Sequence, residues 1–299
     1  MNNLGTEDFE GFIYLDYDYP VSAWNIARGF FGSVDTLNTK DSMLSIMMSD
    51  MLISNNINRI QSEIYIDNIR KLFFPQCVSR LRGVFVFDEV DSVARIWENE
   101  NWGKHFSDEY LADVGVAANK STRVDSNWIA HILNENYSLK PNAIENIVNY
   151  WSGKPYPKSD PIWERIVSGY ITIWSSNIRL EAIKNILSIW KDSFPLLQYS
   201  SMCASIGSRD GEIYPCLTID NNKVTIEYLM IAEHINTPNF YDFLLKNHRK
   251  KSLKIDTLFE EPKFRTIKAP DLSGFKKFIL LDKNDSFHLS NNMLYFRSN

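Results

Sequence analysis

The chain has 299 residues, a formal net charge of −5 and a hydrophobic content of 44%. This composition supports a buried core and excludes a disordered chain, and the acidic balance argues against a protein that coats nucleic acid without specificity. The three widely spaced cysteines, Cys77, Cys203 and Cys216, predict a reducing compartment rather than a disulfide scaffold. The polar N-terminus lacks the basic and apolar regions of a signal peptide, and no apolar run approaches the length of a membrane span. We therefore expect a soluble, cytoplasmic protein with no membrane partner.

The first half of the chain predicts a mixture of strands and helices. Apolar residues at helical spacing indicate helices, and short β-branched or aromatic runs bounded by Gly or Pro indicate strands. The predicted strands cover residues 11–19, 83–87 and 110–116. The predicted helices cover residues 21–31 (a short helix or an irregular segment), 41–55, 57–74, 88–97, 126–136 and 143–151. Methionines in the second of these helices are expected to fill the core rather than to form a ligand surface.

Residues 163–174 are the most strand-like stretch, because they are rich in β-branched and aromatic residues. They follow a loop, residues 153–161, that contains three prolines. Alternation along the strand places Glu164 and Ile166 on one face and Val167 on the other. A single glutamate at a strand entrance is ordinarily a solvated surface group, but beside a shaped loop it is also a candidate catalytic carboxylate.

The character of the sequence changes after Pro195, which marks the predicted boundary between residues 1–195 and residues 196–299. An amphipathic helix precedes this boundary, and a hairpin with an Asp- and Asn-rich turn follows it. The predicted elements are a helix at 179–192, strands at 212–219 and 223–230, a helix from 238, and a final pair of strands at 275–281 and 287–296.

Standard catalytic signatures are absent from the sequence. No Gly-rich phosphate loop and no Gly-x-Ser-x-Gly elbow occur. The five histidines never fall at metal-ligand spacing, so no metal site is predicted. A nucleophilic role for Cys77 would need a histidine partner that the sequence does not place.

Several motifs, taken in their order along the chain, resemble the ADP-ribosyltransferase superfamily. Residues 84–97 look like the second strand and following helix of that fold, which form one wall of its nicotinamide pocket. Residues 164–169 look like the late strand that carries the essential glutamate of the family. Residues 79–82, 123–128 and 150–153 further resemble a little-characterised bacterial branch, related in outline to the DarT-type nucleic-acid ADP-ribosyltransferases.

This resemblance covers about residues 10–175 and implies a fold as well as an activity. The implied fold is α+β, with a split, mostly antiparallel sheet, surrounding helices and an accessory α+β region at 196–299. The implied reaction transfers ADP-ribose from NAD to a macromolecule, with RNA or DNA slightly favoured over protein. Bacterial relatives often act as toxins in toxin–antitoxin or phage-defence systems, which implies a neutralising partner protein.

The resemblance also implies roles for individual residues. The candidates are Glu164 as the catalytic carboxylate, Arg80 and Ser79 as NAD-binding residues, and Tyr14, Phe87 or Trp151 as aromatic neighbours of the nicotinamide. A carboxylate stabilises an oxocarbenium-like ribose, an arginine fork binds pyrophosphate, and aromatic rings sandwich a planar ring. The first strand departs from the family because it carries neither His nor Arg, and the chain has no Ser-Thr-Ser motif.

Each assignment has a structural alternative. These alternatives are Arg80 and Arg82 as exposed surface charges, Phe85, Phe87 and Trp151 as core residues, and Asp125 as a helix cap. The functional alternatives are a non-catalytic binding module on the same fold and an NAD glycohydrolase. A basic run, Lys246, Arg249, Lys250, Lys251 and Lys254, is expected either to stabilise its helix end or to steer a nucleic-acid acceptor.

Overall fold

The structure is a computed structural model that describes the following ranges: 7–37, 42–48, 57–98, 106–220, 223–247, 268–280, 285–290 and 293–298. Its elements confirm the α+β class, and its strands are mostly antiparallel. Within these ranges, no helix has both the length and the apolar character that crossing a bilayer requires.

The strands are β1 (Glu7–Tyr14), β2 (Phe30–Gly32), β3 (Val84–Val86), β4 (Leu111–Asp125), β5 (Trp163–Ile173), β6 (Ile213–Asp220), β7 (Lys223–Met230), β8 (Lys277–Leu280), β9 (Asp285–Ser290) and β10 (Met293–Ser298). The helices are α1 (Pro20–Arg28), α2 (Ile57–Phe73), α3 (Val90–Glu98), α4 (Asn127–Ile132), α5 (Ala143–Trp151), α6 (Ser176–Ile189), α7 (Phe194–Ser205) and α8 (Phe240–Asn247).

Strands β4 and β5 form the centre of the main sheet. They pair antiparallel from Val114 opposite Ile173 to Asp125 opposite Trp163, with one irregularity after Ala118. Strand β1 pairs with the other edge of β4, whereas β2 and β3 both pair with the other edge of β5. The longest strands therefore lie side by side, and the short strands complete the sheet around them.

The edge shared by β2 and β3 is interrupted between the two strands. Ser33 fills the interruption, because its N–H donates to the Gly169 carbonyl at 2.8 Å and its hydroxyl accepts from the Gly169 N–H at 3.0 Å. Beyond β3, Phe12 and Phe87 exchange two backbone hydrogen bonds of 2.8 and 2.9 Å. The sheet thus curves back on itself through β1, β4, β5 and β3.

Helices cover both faces of this sheet. Residues of α1, α6 and α7 share one hydrophobic core with Val167, Ile171 and Ile173 of β5. Residues of α2, α4 and α5 share a second core with Ile166 of β5. The predicted two-faced pattern of β5 is confirmed, but the face that carries Glu164 is covered by a second core instead of solvent.

Residues beyond 195 contribute to the same cores. Pro195 lies in the first turn of α7, a position that proline favours, and the sequence patterns did not predict this helix. Ile213 of β6 belongs to the first core and Val224 of β7 to the second. Glu212 accepts from Arg28 at 2.9 Å, and both side chains are fully buried. The division at 195 stays a prediction, and residues from both sides of it pack together.

Several predicted elements differ from the observed ones. Among the described residues of the predicted helix 41–55, a 3₁₀ turn, Ile46–Met48, follows a bridge between Met43 and Cys216. The predicted helix 126–136 ends at Ile132, because the chain turns there and pairs Leu133 with Leu139.

The prediction that residues 275–281 pair with residues 287–296 is also wrong. Strand β8 pairs with β7, and strand β9 pairs with β10. Within the basic run, Lys246 belongs to the last turn of α8, whereas Arg249, Lys250, Lys251 and Lys254 lie outside the described residues.

Substitution of Gly169 tests the close contact between β4 and β5. A Cβ atom at this position would collide with the carbonyl oxygen of Ala117 and lie 2.8 Å from Cα of Ala118. Gly169→Ala should therefore lower the free energy of unfolding by about 1–3 kcal/mol, as overpacking does. Urea denaturation measures this change. Gly274→Ala is the control, since a Cβ atom there would have no described atom within 4 Å, and equal effects of both changes would contradict the close contact.

Candidate functional site

A cavity of about 1130 Å³ lies where β1, β3 and β5 approach α2 and α4. Four of the six predicted site residues line it: Tyr14, Arg80, Phe87 and Glu164. Residues that are distant in sequence thus meet at one cavity. Its volume reaches the upper end of the range of small-molecule and cofactor pockets, roughly 300–1,000 Å³.

Glu164 lies at the entrance of β5, opposite Val124 of β4, and is 8% exposed. The Ser126 hydroxyl donates to its Oε2 atom at 3.1 Å. Burial raises the pKa of Glu164, while Arg80 and the hydrogen bond from Ser126 act in the opposite direction. The carboxyl is therefore desolvated but lies beside a cation, and its surroundings differ from those of a surface glutamate.

Arg80 is buried, which rules out the alternative that it is an exposed surface charge. Its Nε and Nη2 atoms donate to the two carboxylate oxygens of Glu63 at 2.9 and 3.1 Å, and Nη1 donates to the Tyr150 hydroxyl at 2.6 Å. The guanidinium also lies 4.9 Å from the centre of the Phe85 ring. Burial alone would lower the pKa of Arg80, but Glu63 and Tyr150 raise it, so the cation persists.

Ser79 and Trp151 lie near the site without lining the cavity. The Ser79 hydroxyl donates to Asp67 of α2 at 2.6 Å, and the Trp151 indole donates to the Ile66 carbonyl at 3.2 Å. Both side chains are buried. They hold α5 and the Arg80 segment against α2, so their observed contacts are structural.

Aromatic side chains form another part of the cavity wall. The Tyr14 ring packs edge-to-face against Phe87 and Phe106, with centroid distances of 6.1 and 4.9 Å. Burial raises the pKa of Tyr14, so its hydroxyl stays protonated near neutral pH. This cluster offers apolar surface and edge-to-face geometry to a planar ring.

Asp125 fixes the loop that leads into β5. It is fully buried, and its Oδ1 atom accepts from the N–H groups of Asn127 and Ile162, each at 3.0 Å. Its Oδ2 atom accepts from the N–H of Tyr156 at 2.7 Å. The N-cap of α4 is Ser126, so Asp125 is not the cap residue, although it accepts from the N–H of the first residue of α4. Asp125 also ties the proline-rich loop to the end of β4, next to Ser126 and Glu164.

Sequence reasoning missed Glu63, Ser126 and Tyr150 as parts of the site. A usable signal was present for Glu63, because Glu63 and Asp67 occur on α2 among the inward positions that follow Ile60. Carboxylates on an apolar helix face need buried partners. Arg80 and Ser79 are those partners. Ser126 lies in the stretch 123–128 that carries part of the resemblance, but its hydrogen bond to Glu164 depends on the bend after β4 and was not predicted.

A second acidic group lies elsewhere in the described chain. Ligand atoms of Asp210, Glu233 and His234 approach within 4.8 Å of one another. Asp210 already accepts hydrogen bonds from the Glu233 and His234 N–H groups and from the Tyr199 hydroxyl. These bonds hold residues 233–234 against the core, which is a sufficient structural role for the carboxylate.

The two buried glutamates should respond differently to removal of charge. Glu63→Gln breaks a buried, bidentate ion pair and should lower the free energy of unfolding by about 3–5 kcal/mol. Glu164→Gln should not lower it at neutral pH, because burial penalises the ionised form of Glu164 and raises its pKa.

The sign of this effect follows from proton binding. The folded state retains the Glu164 proton to higher pH than the unfolded state, so this group makes stability fall as pH rises between the two pKa values. Urea denaturation of parent and variants at several pH values measures both effects. An equal loss of stability in both variants would contradict the distinction.

Asp125→Asn should loosen the loop before β5. An amide offers one oxygen where the carboxylate offers two, so a buried N–H of Tyr156 or Ile162 loses its acceptor at a cost of about 1–3 kcal/mol. Hydrogen exchange of residues 153–162 should become faster. Asp160→Asn, in an exposed part of the same loop, is the matched control. Unchanged hydrogen exchange in the Asp125→Asn variant would show that Asp125 does not hold the loop in place.

Comparison with known proteins adds a family but no activity. No curated protein matches the chain. A family model described as "Protein of unknown function (DUF2441)" matches residues 25–185, more than half of the chain. The match includes Arg80, Ser126 and Glu164 and ends within α6. The chain therefore belongs to the DUF2441 family of proteins of unknown function.

Proposed function

We propose that the protein is an NAD-dependent ADP-ribosyltransferase and that Glu164 is its catalytic carboxylate. The observation that carries the proposal is a buried glutamate at the entrance of the central strand, on the wall of a cavity that also presents a cation and aromatic rings. The sequence resemblance selects the same glutamate. The curved antiparallel sheet with its interrupted edge supports an ADP-ribosyltransferase-like fold.

Glu164 would act on the ribose that carries the nicotinamide. When the bond from ribose C1′ to the nicotinamide nitrogen breaks, its electron pair leaves with nicotinamide and positive charge develops on the ribose. A carboxylate in a desolvated site stabilises that charge more strongly than one in water. An acceptor group then attacks C1′ and loses its proton, which the same carboxylate is placed to receive.

Ser126 and Arg80 would serve this reaction by positioning Glu164. The Ser126 hydrogen bond fixes one carboxylate oxygen, and the nearby guanidinium favours the ionised form. Because Arg80 already binds Glu63 and Tyr150, its main contribution is this electrostatic support. The expectation that Arg80 clamps the pyrophosphate is therefore replaced by a positioning role.

The aromatic cluster would hold the nicotinamide ring. Tyr14, Phe87 and Phe106 provide ring edges and faces within one part of the cavity wall. Trp151 is left out of this role because its indole lies outside the lining and donates to a backbone carbonyl. A planar, cationic ring gains from aromatic contact through stacking and its interaction with the ring quadrupole.

The wider biological role is also part of the proposal. The acceptor is a macromolecule, with nucleic acid favoured, and the setting is a cytoplasmic toxin or defence system with a neutralising protein partner. The free state of Cys77, Cys203 and Cys216 agrees with a reducing compartment. Acceptor transfer is distinguished from NAD glycohydrolysis by product analysis, since hydrolysis releases free ADP-ribose.

Removal of the Glu164 charge tests the proposal directly. Glu164→Gln should lower NAD consumption by about 10²–10⁴-fold while the protein stays folded. Release of nicotinamide from labelled NAD, in the presence of separate RNA, DNA and protein pools, measures the activity. Glu145→Gln, on the exposed side of α5, is the control and should match the parent. Full activity of a folded Glu164→Gln protein would refute the assignment.

The pH dependence gives a second measurement of the same group. Because Glu164 must be ionised to stabilise positive charge, kcat/KM for NAD should fall as pH drops through its raised pKa. The acid limb should therefore lie at higher pH than an exposed glutamate would give. Ser126→Ala removes a contact that lowers this pKa, so it should move the limb to still higher pH. A limb at the position of an ordinary glutamate would contradict the environment seen here.

A further inference from the structure

Tyr137 has a backbone conformation that its side chain disfavours. Its φ angle is +63°, in the left-handed region that glycine and asparagine normally occupy. The other non-glycine residues with positive φ in the described chain are Asn142 and Asn239. Tyr137 is therefore the one residue of these three that is not asparagine. Bulky side chains adopt such conformations where the surrounding structure enforces them.

The surrounding turn holds Tyr137 in place from several directions. Its N–H donates to the Asn134 carbonyl at 3.0 Å, and its own carbonyl accepts from the Ser62 hydroxyl of α2 at 2.9 Å. The Asn134 side chain accepts from the next N–H, that of Ser138, at 2.9 Å. These contacts use the backbone of Tyr137, so an asparagine would satisfy them equally well.

The ring of Tyr137 lies on the cavity wall beside Arg59. The Arg59 guanidinium lies 4.7 Å from the ring centre, and both residues line the cavity. Tyr137 nevertheless stays 37% exposed, so ring surface is available to another planar group. Within the described ranges, the Arg59 Nε atom is buried and has no hydrogen-bond partner.

The cation beside this ring can bind an anion. Arg59 is the cation placed over the ring, and Lys140 lines the same cavity, as do the carboxylates of Asp16, Glu135 and Glu164. The Lys140 Nζ atom donates to the Ala130 carbonyl at 2.7 Å, and an ammonium has two further donors. An aromatic platform with an adjacent cation suits a ligand that combines a planar base and a phosphate.

We infer that Tyr137 and Arg59 form a nucleotide-binding subsite, in which a base stacks on the Tyr137 ring and its phosphate binds Arg59. The inference deepens the proposed function and rests on it, because the nucleotide is either the adenylate half of NAD or a unit of a single-stranded nucleic-acid acceptor. Both sources share the same chemistry. An aromatic residue at this position supplies a stacking surface that an asparagine in the same conformation would lack.

Replacement of Tyr137 separates binding from folding. Tyr137→Asn suits the left-handed conformation, so its melting temperature should equal or exceed that of the parent. The same change should weaken nucleotide binding by about tenfold, since base stacking on an aromatic side chain contributes about 1–3 kcal/mol. Tyr137→Phe keeps the ring and should bind like the parent. Arg59→Gln should weaken binding and reduce its dependence on salt.

The probes are AMP, measured by calorimetry, and a fluorescently labelled single-stranded oligonucleotide, measured by anisotropy. Weaker AMP binding by Tyr137→Asn assigns the subsite to NAD, and weaker oligonucleotide binding alone assigns it to the acceptor. Unchanged binding of both probes by Tyr137→Asn would overturn the inference, as would a large drop in its melting temperature. All binding measurements are repeated in the Glu164→Gln background. Because they measure binding and not turnover, their result does not depend on whether Glu164 is catalytic.

Discussion

The buried guanidinium of Arg80 is the interaction on which the site depends most. Arg80 joins Glu63 of α2, Tyr150 of α5 and the neighbourhood of Glu164 on β5, so one cation connects three elements of the second core. A buried cation of this kind is stable only when carboxylates surround it. Glu63 supplies the bidentate partner. Arg80 therefore does not need Glu164 as its ion-pair partner, and the Glu164 carboxylate lines the cavity.

Geometry along the chain supports this electrostatic arrangement. The long pairing of β4 with β5 brings Asp125 opposite Trp163, so the ends of the two strands meet at the cavity. Asp125 then binds backbone N–H groups on both sides of the proline-rich loop, and the next residue, Ser126, reaches Glu164. A change of register by one residue would turn Glu164 towards the opposite core. Register and loop anchoring thus determine where the carboxylate lies.

The sequence predicted those features that depend on local patterns. Strand β5, helix α2, helix α5 and the β6–β7 hairpin follow directly from periodicity and turn residues. Glu164 became a candidate only when the proline-rich loop before β5 and the family resemblance were added to the strand pattern. Features that depend on distant partners were missed. Arg80 resembles a surface charge until Glu63, seventeen positions earlier, is placed beside it. Helix α7 was missed as well, because Pro195 was interpreted only as a boundary, whereas proline also begins helices and this helix packs residues into the core.

Two departures from maximal stability lie on the same cavity. Glu164 keeps a carboxyl group in surroundings that penalise its charge, and Tyr137 keeps a bulky side chain where asparagine would fit more easily. Each of these two features could be explained locally, since single residues in strands and turns sometimes adopt energetically unfavourable environments or conformations. Their occurrence on one cavity wall is more informative, because local rules are most often broken at functional sites. Together they favour a cavity built for a charged, ring-containing ligand over one left by imperfect packing.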